Sequence, residues 1–87
     1  MLVFNDRFVI RKTLLDKHYI GDLETGRVII LNETAAYIIQ MIKDAALEES
    51  DLVLRLADAY RAPASQISSD IQDLILEMKT IGVIYDQ

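Results

Sequence analysis

Gly26–Ala36, which reads Gly-Arg-Val-Ile-Ile-Leu-Asn-Glu-Thr-Ala-Ala, contains the change from strand to helix that decides the fold. Within it, Val28–Leu31 is a run of four apolar residues, three of them β-branched, which is typical of a strand. Asn32 follows directly and suits a helix N-cap, because its side-chain oxygen can accept from the free N–H groups of a first turn. The stretch therefore predicts a strand that passes straight into a helix.

Two further strands are predicted before this stretch. The first spans Phe8–Thr13 and the second Asp16–Leu23, with the turn at Leu14-Leu15-Asp16. Thr25-Gly26 is the strongest hairpin signal in the chain, and it joins the second strand to the third, Arg27–Leu31. This order predicts a three-stranded antiparallel meander with the third strand at an edge.

Apolar residues at helical spacing predict three helices after the sheet. The first runs from Asn32 to about Lys43-Asp44, the second from Glu48–Asp51 to Arg61-Ala62-Pro63, and the third from a Ser65 cap to Ile81. The predicted buried faces are Ala35, Ile38, Ile39 and Ile42, then Leu52, Leu56, Ala59 and Tyr60, then Ile67, Ile71, Leu74, Met78 and Ile81. Gly82 fits a helix stop, and Val83-Ile84-Tyr85 could form a short final strand. The predicted class is α+β, winged helix-turn-helix-like.

Length and composition indicate a single domain, residues 1–87. The chain has 52% hydrophobic residues and is long enough to bury one core. It has no cysteine, which excludes disulfides and thiolate metal sites. Its apolar runs are far shorter than the roughly twenty residues of a membrane-spanning helix, and Met1–Arg7 lacks the pattern of a secretion signal. We therefore expect a soluble cytoplasmic protein.

The charge is unevenly distributed along the chain. Residues 1–31 carry a net charge of +1, whereas residues 32–87 carry −6. An acidic helical part repels phosphate backbones, so a basic or hydrophobic partner fits this chain better than nucleic acid.

No pattern of residues favours catalysis or metal binding. His18 is the only histidine, and no cysteine or second histidine accompanies it. No serine has a histidine and an acid at a recognisable spacing, and the glycines are too scattered for a phosphate loop. Asp70, Asp73 and Glu77 share one side of the third helix, a pattern more typical of a solvated face than of a cation site. The sequence predicts a protein that is not an enzyme and uses no metal or cofactor.

The apolar edge strand Val28–Leu31 needs a cover, because an unpaired edge of this composition promotes aggregation. Either the third helix or the C-terminal segment covers it, or an extended peptide does. On a helical wheel Ile75 flanks the predicted core stripe and could wall a groove beside the strand, whereas Leu76 lies opposite. Such a groove would take a peptide by β-augmentation, in which the peptide adds a strand to the sheet.

Four segments of the chain resemble one protein family: Asp22–Arg27, Leu31–Ala36, Leu56–Tyr60 and Asp70–Leu74. The family is that of pyrroloquinoline quinone biosynthesis protein D, the stand-alone recognition element of pathways that modify ribosomally made peptides. The resemblance covers roughly residues 8–84, and Leu-Asn-Glu-Thr-Ala-Ala is its most specific part. It implies a non-catalytic winged helix-turn-helix that binds the leader of a precursor peptide as an added strand.

By position, the resemblance places the peptide between the third strand and the third helix. The implied contacts are Arg27, Val28, Ile29, Ile30 and Leu31 on the strand, and Asp70, Ile71, Asp73, Leu74, Ile75, Glu77 and Met78 on the helix. The implied partners are the leader and a modifying enzyme, either a radical S-adenosylmethionine enzyme or the leader peptidase and cyclase of a lasso-peptide pathway. The acidic helix flank predicts Lys or Arg on the leader or the enzyme. The chain departs from the family at Lys43–Leu47, where a glycine-containing turn is expected.

Two alternatives stay open at this point. In the first, the chain is a winged-helix DNA-binding regulator whose third helix enters the groove. That helix offers only Lys79 as a basic residue, whereas reading DNA requires Arg, Lys, Asn or Gln facing phosphates and bases. In the second, the chain is an assembly subunit that pairs with itself through the same edge strand, for example as a homodimer.

Overall fold

Two antiparallel sheets and three helices make up the computed structural model, which describes residues 1–87. The elements in chain order are β1 (Leu2–Phe4), β2 (Phe8–Lys12), β3 (His18–Asp22), β4 (Val28–Leu31), α1 (Glu33–Asp44), α2 (Glu49–Tyr60), α3 (Ala64–Ile81) and β5 (Ile84–Asp86). The predicted α+β class, with three antiparallel strands followed by three helices, is confirmed.

The larger sheet has the order β2-β3-β4, which is the predicted meander. Ile20 on the central strand pairs with Ile10 on one side and with Ile29 on the other. Because successive side chains point to opposite faces, this register gathers the apolar residues on the inner face. The strand Val28–Leu31 lies at a sheet edge, as the meander order predicted.

The smaller sheet pairs the two ends of the chain. β1 runs antiparallel to β5, with Val3 opposite Tyr85 and Phe4 opposite Ile84. The final strand was predicted at Val83-Ile84-Tyr85, one residue earlier than observed, whereas β1 was not predicted at all. A strand of three residues is too short to show a period, and its partner is more than eighty residues away in sequence.

Helix α1 forms where the sequence predicted it. The Asn32 side-chain oxygen accepts from the Ala35 N–H at 2.7 Å, which satisfies one of the free donors of the first turn. The predicted stripe is buried in full, and α1 packs on β1, β3 and β4. The strand–helix junction therefore fixes the direction in which the chain leaves β4 and enters α1.

Two details of α2 and α3 differ from the prediction. Ala59 and Tyr60 are exposed, because α2 turns only Leu52 and Leu56 fully into the core before Arg61 ends it in a left-handed conformation. The N-cap of α3 is Pro63, and Ser65 lies inside the first turn without a capping bond. Proline has no side-chain acceptor for the free N–H groups of the first turn, so the helix begins without a side-chain cap.

The buried face of α3 is rotated from the predicted one. Its core residues are Ile67, Ile71, Ile75 and Met78, whereas Leu74 is only half-buried and Ile81 is exposed. Ile75 was predicted to flank the core as a groove wall, and this is wrong, since its side chain is 4% exposed. Because α3 packs on both α2 and β5, the side of the helix that carries Ile75 has neighbours that a helical wheel does not reveal.

All three helices and both sheets contribute to one apolar core of 20 buried residues. Gly82 ends α3 with φ 96°, as expected for a C-terminal stop, and Val83 and Ile84 then enter the core. None of the helices combines the length and the apolar character required to cross a membrane.

Candidate functional site

The outer edge of β4 has unpaired backbone groups. The Asp22 N–H donates to the Arg27 carbonyl at 2.8 Å, so Arg27 faces β3 in the hydrogen-bond ladder. In an antiparallel pair the orientation of the backbone groups alternates, so the N–H and C=O groups of Ile29 and Leu31 also face β3. Those of Val28 and Ile30 point away from the sheet. No other strand pairs with this edge, so the backbone groups of Val28 and Ile30 are free to bond an added strand.

The two faces of β4 have different surroundings. Leu31 is buried and Ile29 is half-buried against the core, whereas Val28 and Ile30 are 59% and 70% exposed on the outer face. The sequence predicted that both faces would be apolar, and the structure covers only one of them. A strand added to β4 would continue both faces, because cross-strand neighbours share a face.

A cavity of about 400 Å³ lies where β4 ends, between α1, α2 and the first half of α3. Its walls include Asn32, Ala35, Ile38, Tyr60, Ile67, Asp70 and Leu74. Eight of its twelve lining residues are hydrophobic, and Asp70 is the only charged one. We call it the Asp70 cavity; its composition suits an apolar side chain with a cationic end.

A second cavity, of about 350 Å³, lies where β4 begins. It is lined by Arg7, Phe8, Asp22, Thr25, Arg27, Ile29, Thr80 and Ile81. The strands and the residues that flank them supply the first six residues, and the C-terminal end of α3 supplies the last two. We call it the Arg27 cavity.

Together the two cavities show that β4 and α3 run antiparallel along a common groove. Arg27 at the start of β4 lines one cavity together with Ile81 at the end of α3, and Asn32 after β4 lines the other together with Asp70. Arg27 to Asn32 spans about 16 Å of strand, and Asp70 to Ile81 spans about 16 Å of helix. This β4–α3 groove, bounded by Arg27–Asn32 and Asp70–Ile81, is therefore long enough for about five extended residues.

The charges along the groove have no partners within the chain. Asp70, Asp73 and Glu77 are exposed on α3 and form no ion pair, and Arg27 also forms none. Like charges three and four residues apart on a helix repel one another, which weakens the helix slightly. A cation bound along this flank would relieve that repulsion.

An ion pair fixes the turn that leads into β4. Arg7 donates from Nε and Nη2 to the two carboxylate oxygens of Asp22 at 2.9 and 2.8 Å. Asp22 Oδ1 also accepts from the Glu24 N–H at 2.9 Å. These hydrogen bonds, those from Arg7 first, hold the pKa of Asp22 well below its usual range and raise the pKa of Arg7.

The structure brings several of the predicted contact residues to the groove. Arg27, Ile29, Asp70, Ile71 and Leu74 line its two cavities, and Asp73 and Glu77 are exposed on α3. Leu31, Ile75 and Met78 are buried in the core and support the groove from behind. Val28 and Ile30 are exposed on the outer face and offer their backbones to the edge.

Some groove residues were not predicted as contacts. Asn32, Ile38 and Tyr60 line the Asp70 cavity, and Thr80 and Ile81 line the Arg27 cavity. The rotation of α3 explains Ile81, because it turns this residue from the expected core position to the groove. Only the packing of α1 and α2 against α3 reveals the others.

The groove has no arrangement typical of a metal centre, and no group of three His, Cys, Asp or Glu side chains could hold an ion. Every buried polar side-chain atom has a hydrogen-bond partner. The groove therefore offers hydrogen bonds, apolar surface and charge, which are the means of binding a peptide.

Comparisons with known proteins relate this geometry to a family. Two solved structures share the fold: "Lasso peptide synthetase B1 complexed with the leader peptide" (TM-score 0.77, 22% identity, 98% of each chain covered) and "TbiB1 in Complex with the TbiA(beta) Leader Peptide" (TM-score 0.79, 15% identity, 98% of this chain and 99% of that one). No curated protein matches this chain. The model of the family described as coenzyme PQQ synthesis protein D (PqqD) matches residues 17–84. The chain belongs to this family.

Proposed function

We propose that this chain binds the leader segment of a ribosomally synthesised precursor peptide and delivers it to a modifying enzyme. The leader adds a strand to β4 inside the β4–α3 groove. The observation that carries the proposal is the free edge of β4, where Val28 and Ile30 direct unpaired backbone groups toward solvent. The chain acts as a binding protein and not as an enzyme.

The relatives support this proposal. The chain is a PqqD family member, and both similar structures are described as complexes with leader peptides. Their fold is this fold over nearly the whole chain, so the same edge and helix are available here.

The structure suggests how affinity and specificity divide. Two outward-facing residues on β4 offer up to about four backbone hydrogen bonds, each contributing about 0.5–1.5 kcal/mol net. These bonds do not depend on the leader sequence. Alternate side chains of the leader enter the Asp70 and Arg27 cavities, and these contacts provide specificity.

We assign direct contact to the residues that the groove exposes. They are Arg27, Val28, Ile29 and Ile30 on the sheet and Asp70, Asp73, Leu74 and Glu77 on α3. Leu31, Ile71, Ile75 and Met78 have little or no exposed surface, and they shape the groove through packing.

The experiment is a calorimetric titration of the protein with the leader of the precursor peptide that is encoded beside this chain. Ile30→Pro removes the outward N–H while leaving the bonds of β4 to β3 intact, since an edge strand tolerates proline on its solvent side. Ile30→Ala is the matched control, because it removes the same side chain and keeps the N–H. We expect Ile30→Pro to weaken binding at least tenfold relative to Ile30→Ala; equal affinities would place the leader elsewhere.

Delivery requires a second measurement. The modifying enzyme of the same pathway, whether a radical S-adenosylmethionine enzyme or a leader peptidase, should process the precursor faster when this chain is added. The Ile30→Pro variant should not increase the rate at which the enzyme processes the precursor. Sizing at several concentrations, with and without leader, tests whether β4 also pairs two copies into a homodimer that the leader dissociates.

A further inference from the structure

The connection between β2 and β3 carries the two most exposed large apolar side chains of the chain. Leu14 is 103% exposed and Leu15 is 82% exposed, so neither packs on the rest of the protein. No other two adjacent large apolar residues are both exposed. A single exposed leucine is ordinary, whereas an adjacent pair on a protruding hairpin is typical of a surface that another protein covers. We call this connection, Thr13–Lys17, the leucine tip.

Hydrogen bonds within the leucine tip hold its conformation. The Thr13 N–H donates to the Lys17 carbonyl at 2.8 Å, and the Asp16 N–H donates to the Thr13 carbonyl at 3.0 Å. The Thr13 hydroxyl oxygen accepts from the N–H groups of Leu15 and Lys17 at 3.3 and 3.1 Å. An ordered tip loses little conformational freedom on binding, so its leucines are prepared to enter a pocket.

The surroundings of the two leucines are basic. Residues 11–18 contain three basic residues and one acidic residue, a net charge of +2, whereas the whole chain carries −5. The acidic residue, Asp16, pairs with Lys12 at 3.2 Å, and neither Arg11 nor Lys17 forms an ion pair. An acidic protein surface is therefore attracted to this end of the hairpin and repelled by the acidic helices.

A recess lies beside the base of the same hairpin. It has a volume of about 470 Å³ and is lined on one side by Arg11, Lys12 and His18. Helix α1 provides the other side, which includes Glu33, Tyr37 and Gln40. The recess offers both charged and neutral polar groups, so it suits hydrogen bonds to polar side chains of a partner that covers the leucines.

The leucine tip lies apart from the β4–α3 groove. Lys12, His18 and Leu31 form one row across β2, β3 and β4, so the tip extends beyond the end of the sheet at which β4 leads into α1. Two strand spacings, about 10 Å, separate β2 from β4. Neither leucine lines a cavity of the groove. A partner at the tip and a leader in the groove can therefore be bound at the same time.

We infer that the leucine tip docks on the modifying enzyme, which receives Leu14 and Leu15 in an apolar pocket with acidic side chains around it. This inference rests on the proposed function, because delivery requires a contact with the enzyme that leaves the groove open to the leader. A membrane is the weaker candidate. Two leucine side chains bury less hydrocarbon than one myristoyl chain, which itself gives only marginal membrane binding.

The first test is calorimetric binding of the purified modifying enzyme encoded beside this chain, with and without leader. We expect the double variant Leu14→Ser with Leu15→Ser to bind the enzyme at least about tenfold more weakly than the natural protein. The matched control, Leu54→Ser with Leu76→Ser, removes two exposed leucines from α2 and α3 and should bind like the natural protein. Equal affinities of the two variants, or no binding by the natural protein in either condition, would overturn the inference.

A charge reversal tests the acidic surroundings of the enzyme pocket. Lys17→Glu should slow association with the enzyme, and the difference from the natural protein should shrink at high salt. Arg55→Glu makes the same change at an exposed position of α2 without an ion pair and should leave the association rate unchanged. Equal association rates for the two variants would contradict an acidic partner.

Leader affinity separates this inference from the proposed function. The variant with both tip leucines replaced should bind leader as the natural protein does and should fail to accelerate processing of the precursor. If it accelerates processing normally, the docking inference fails while the proposed function stands. If the natural protein does not bind leader, the proposed function fails, and enzyme binding still decides the role of the tip.

Two further measurements assign the tip if the enzyme does not use it. Binding to vesicles of phosphatidylcholine and phosphatidylglycerol that is lost in the same double variant would assign the tip to a membrane. Self-association on sizing that is lost in this variant would assign it to a second copy of the chain. Either result without enzyme binding would overturn the inference.

Discussion

Arg7, directly before β2, and Asp22, the last residue of β3, are joined by two parallel hydrogen bonds of 2.9 and 2.8 Å between their side chains. The Asp22 side chain is only 8% exposed, so the pair is shielded although Arg7 lies at the surface. The same carboxylate accepts from the Glu24 N–H, while the Asp22 backbone bonds Arg27. One residue, through its side chain and its backbone, therefore connects the sheet, the turn and the beginning of the groove.

The depressed pKa of Asp22 predicts sensitivity of the fold to acid. Because Asp22 is more acidic when folded than when unfolded, its stabilisation is complete above about pH 4 and is lost as pH falls through the lower folded pKa. We expect the melting temperature of Asp22→Asn to change less between about pH 5 and pH 2 than that of the natural protein. Asp6→Asn, an exposed carboxylate without an ion pair, is the control. Parallel curves for all three would contradict this role.

Ile75 and Leu76 are adjacent in α3 but have opposite surroundings. Ile75 is 4% exposed and Leu76 is 66% exposed. Ile75→Ala should lower the free energy of unfolding by about 2–5 kcal/mol, because a buried side chain leaves a cavity. Leu76→Ala should change it by less than about 0.5 kcal/mol. Denaturant unfolding of both variants tests this, and similar midpoints would contradict the observed orientation of α3.

Asn32 ends the strand segment and caps α1. Asn32→Ala removes the acceptor of the Ala35 N–H and should cost about 1 kcal/mol of stability. Asn32→Asp keeps the acceptor and should retain most of that stability. Thermal unfolding at neutral pH distinguishes them, and an Ala variant as stable as the Asp variant would show that the cap contributes nothing.

Leu74 is the half-buried apolar residue of α3 in the Asp70 cavity. Leu74→Ala should weaken leader binding by about tenfold, or about 1.4 kcal/mol, through lost apolar contact with the leader. Leu54→Ala, on the exposed face of α2, removes an equal side chain outside the groove and should leave affinity unchanged. Calorimetric titration measures both, and equal losses would argue against the groove.

The helix cap, the turns and the hairpin could be predicted from the sequence because residues close together in the chain determine them. Asn32 caps α1 because asparagine can accept hydrogen bonds from the free N–H groups of a first turn. Gly26 adopts a positive φ in a turn, and Gly82 does so at the end of α3. The strand order followed from one hairpin signal at Thr25-Gly26. These features depend on neighbours within a few residues.

The orientation of α3 and the pairing of β1 depend on distant residues, and the sequence did not reveal them. Ile75 and Ile81 are both isoleucine, so nothing in their composition indicates which enters the core. The packing of α3 against α2 and β5 decides which isoleucine is buried. Val83 and Ile84, which follow α3 and are buried in the core, also contribute to this choice. For the same reason the edge position of Val28–Leu31 was predicted correctly, whereas the buried face of α3 was not.

The pairing of β1 with β5 also brings the two ends of the chain together. The Gln87 N–H donates to the Met1 carbonyl at 2.9 Å, and the Met1 amino group approaches the Gln87 carbonyl at 3.3 Å. A linker of a few residues could therefore close the chain into a ring, which removes conformational freedom from the unfolded state. New ends could then be opened at the exposed hairpin Leu14–Asp16, outside both cavities, giving a circular permutant with an intact groove.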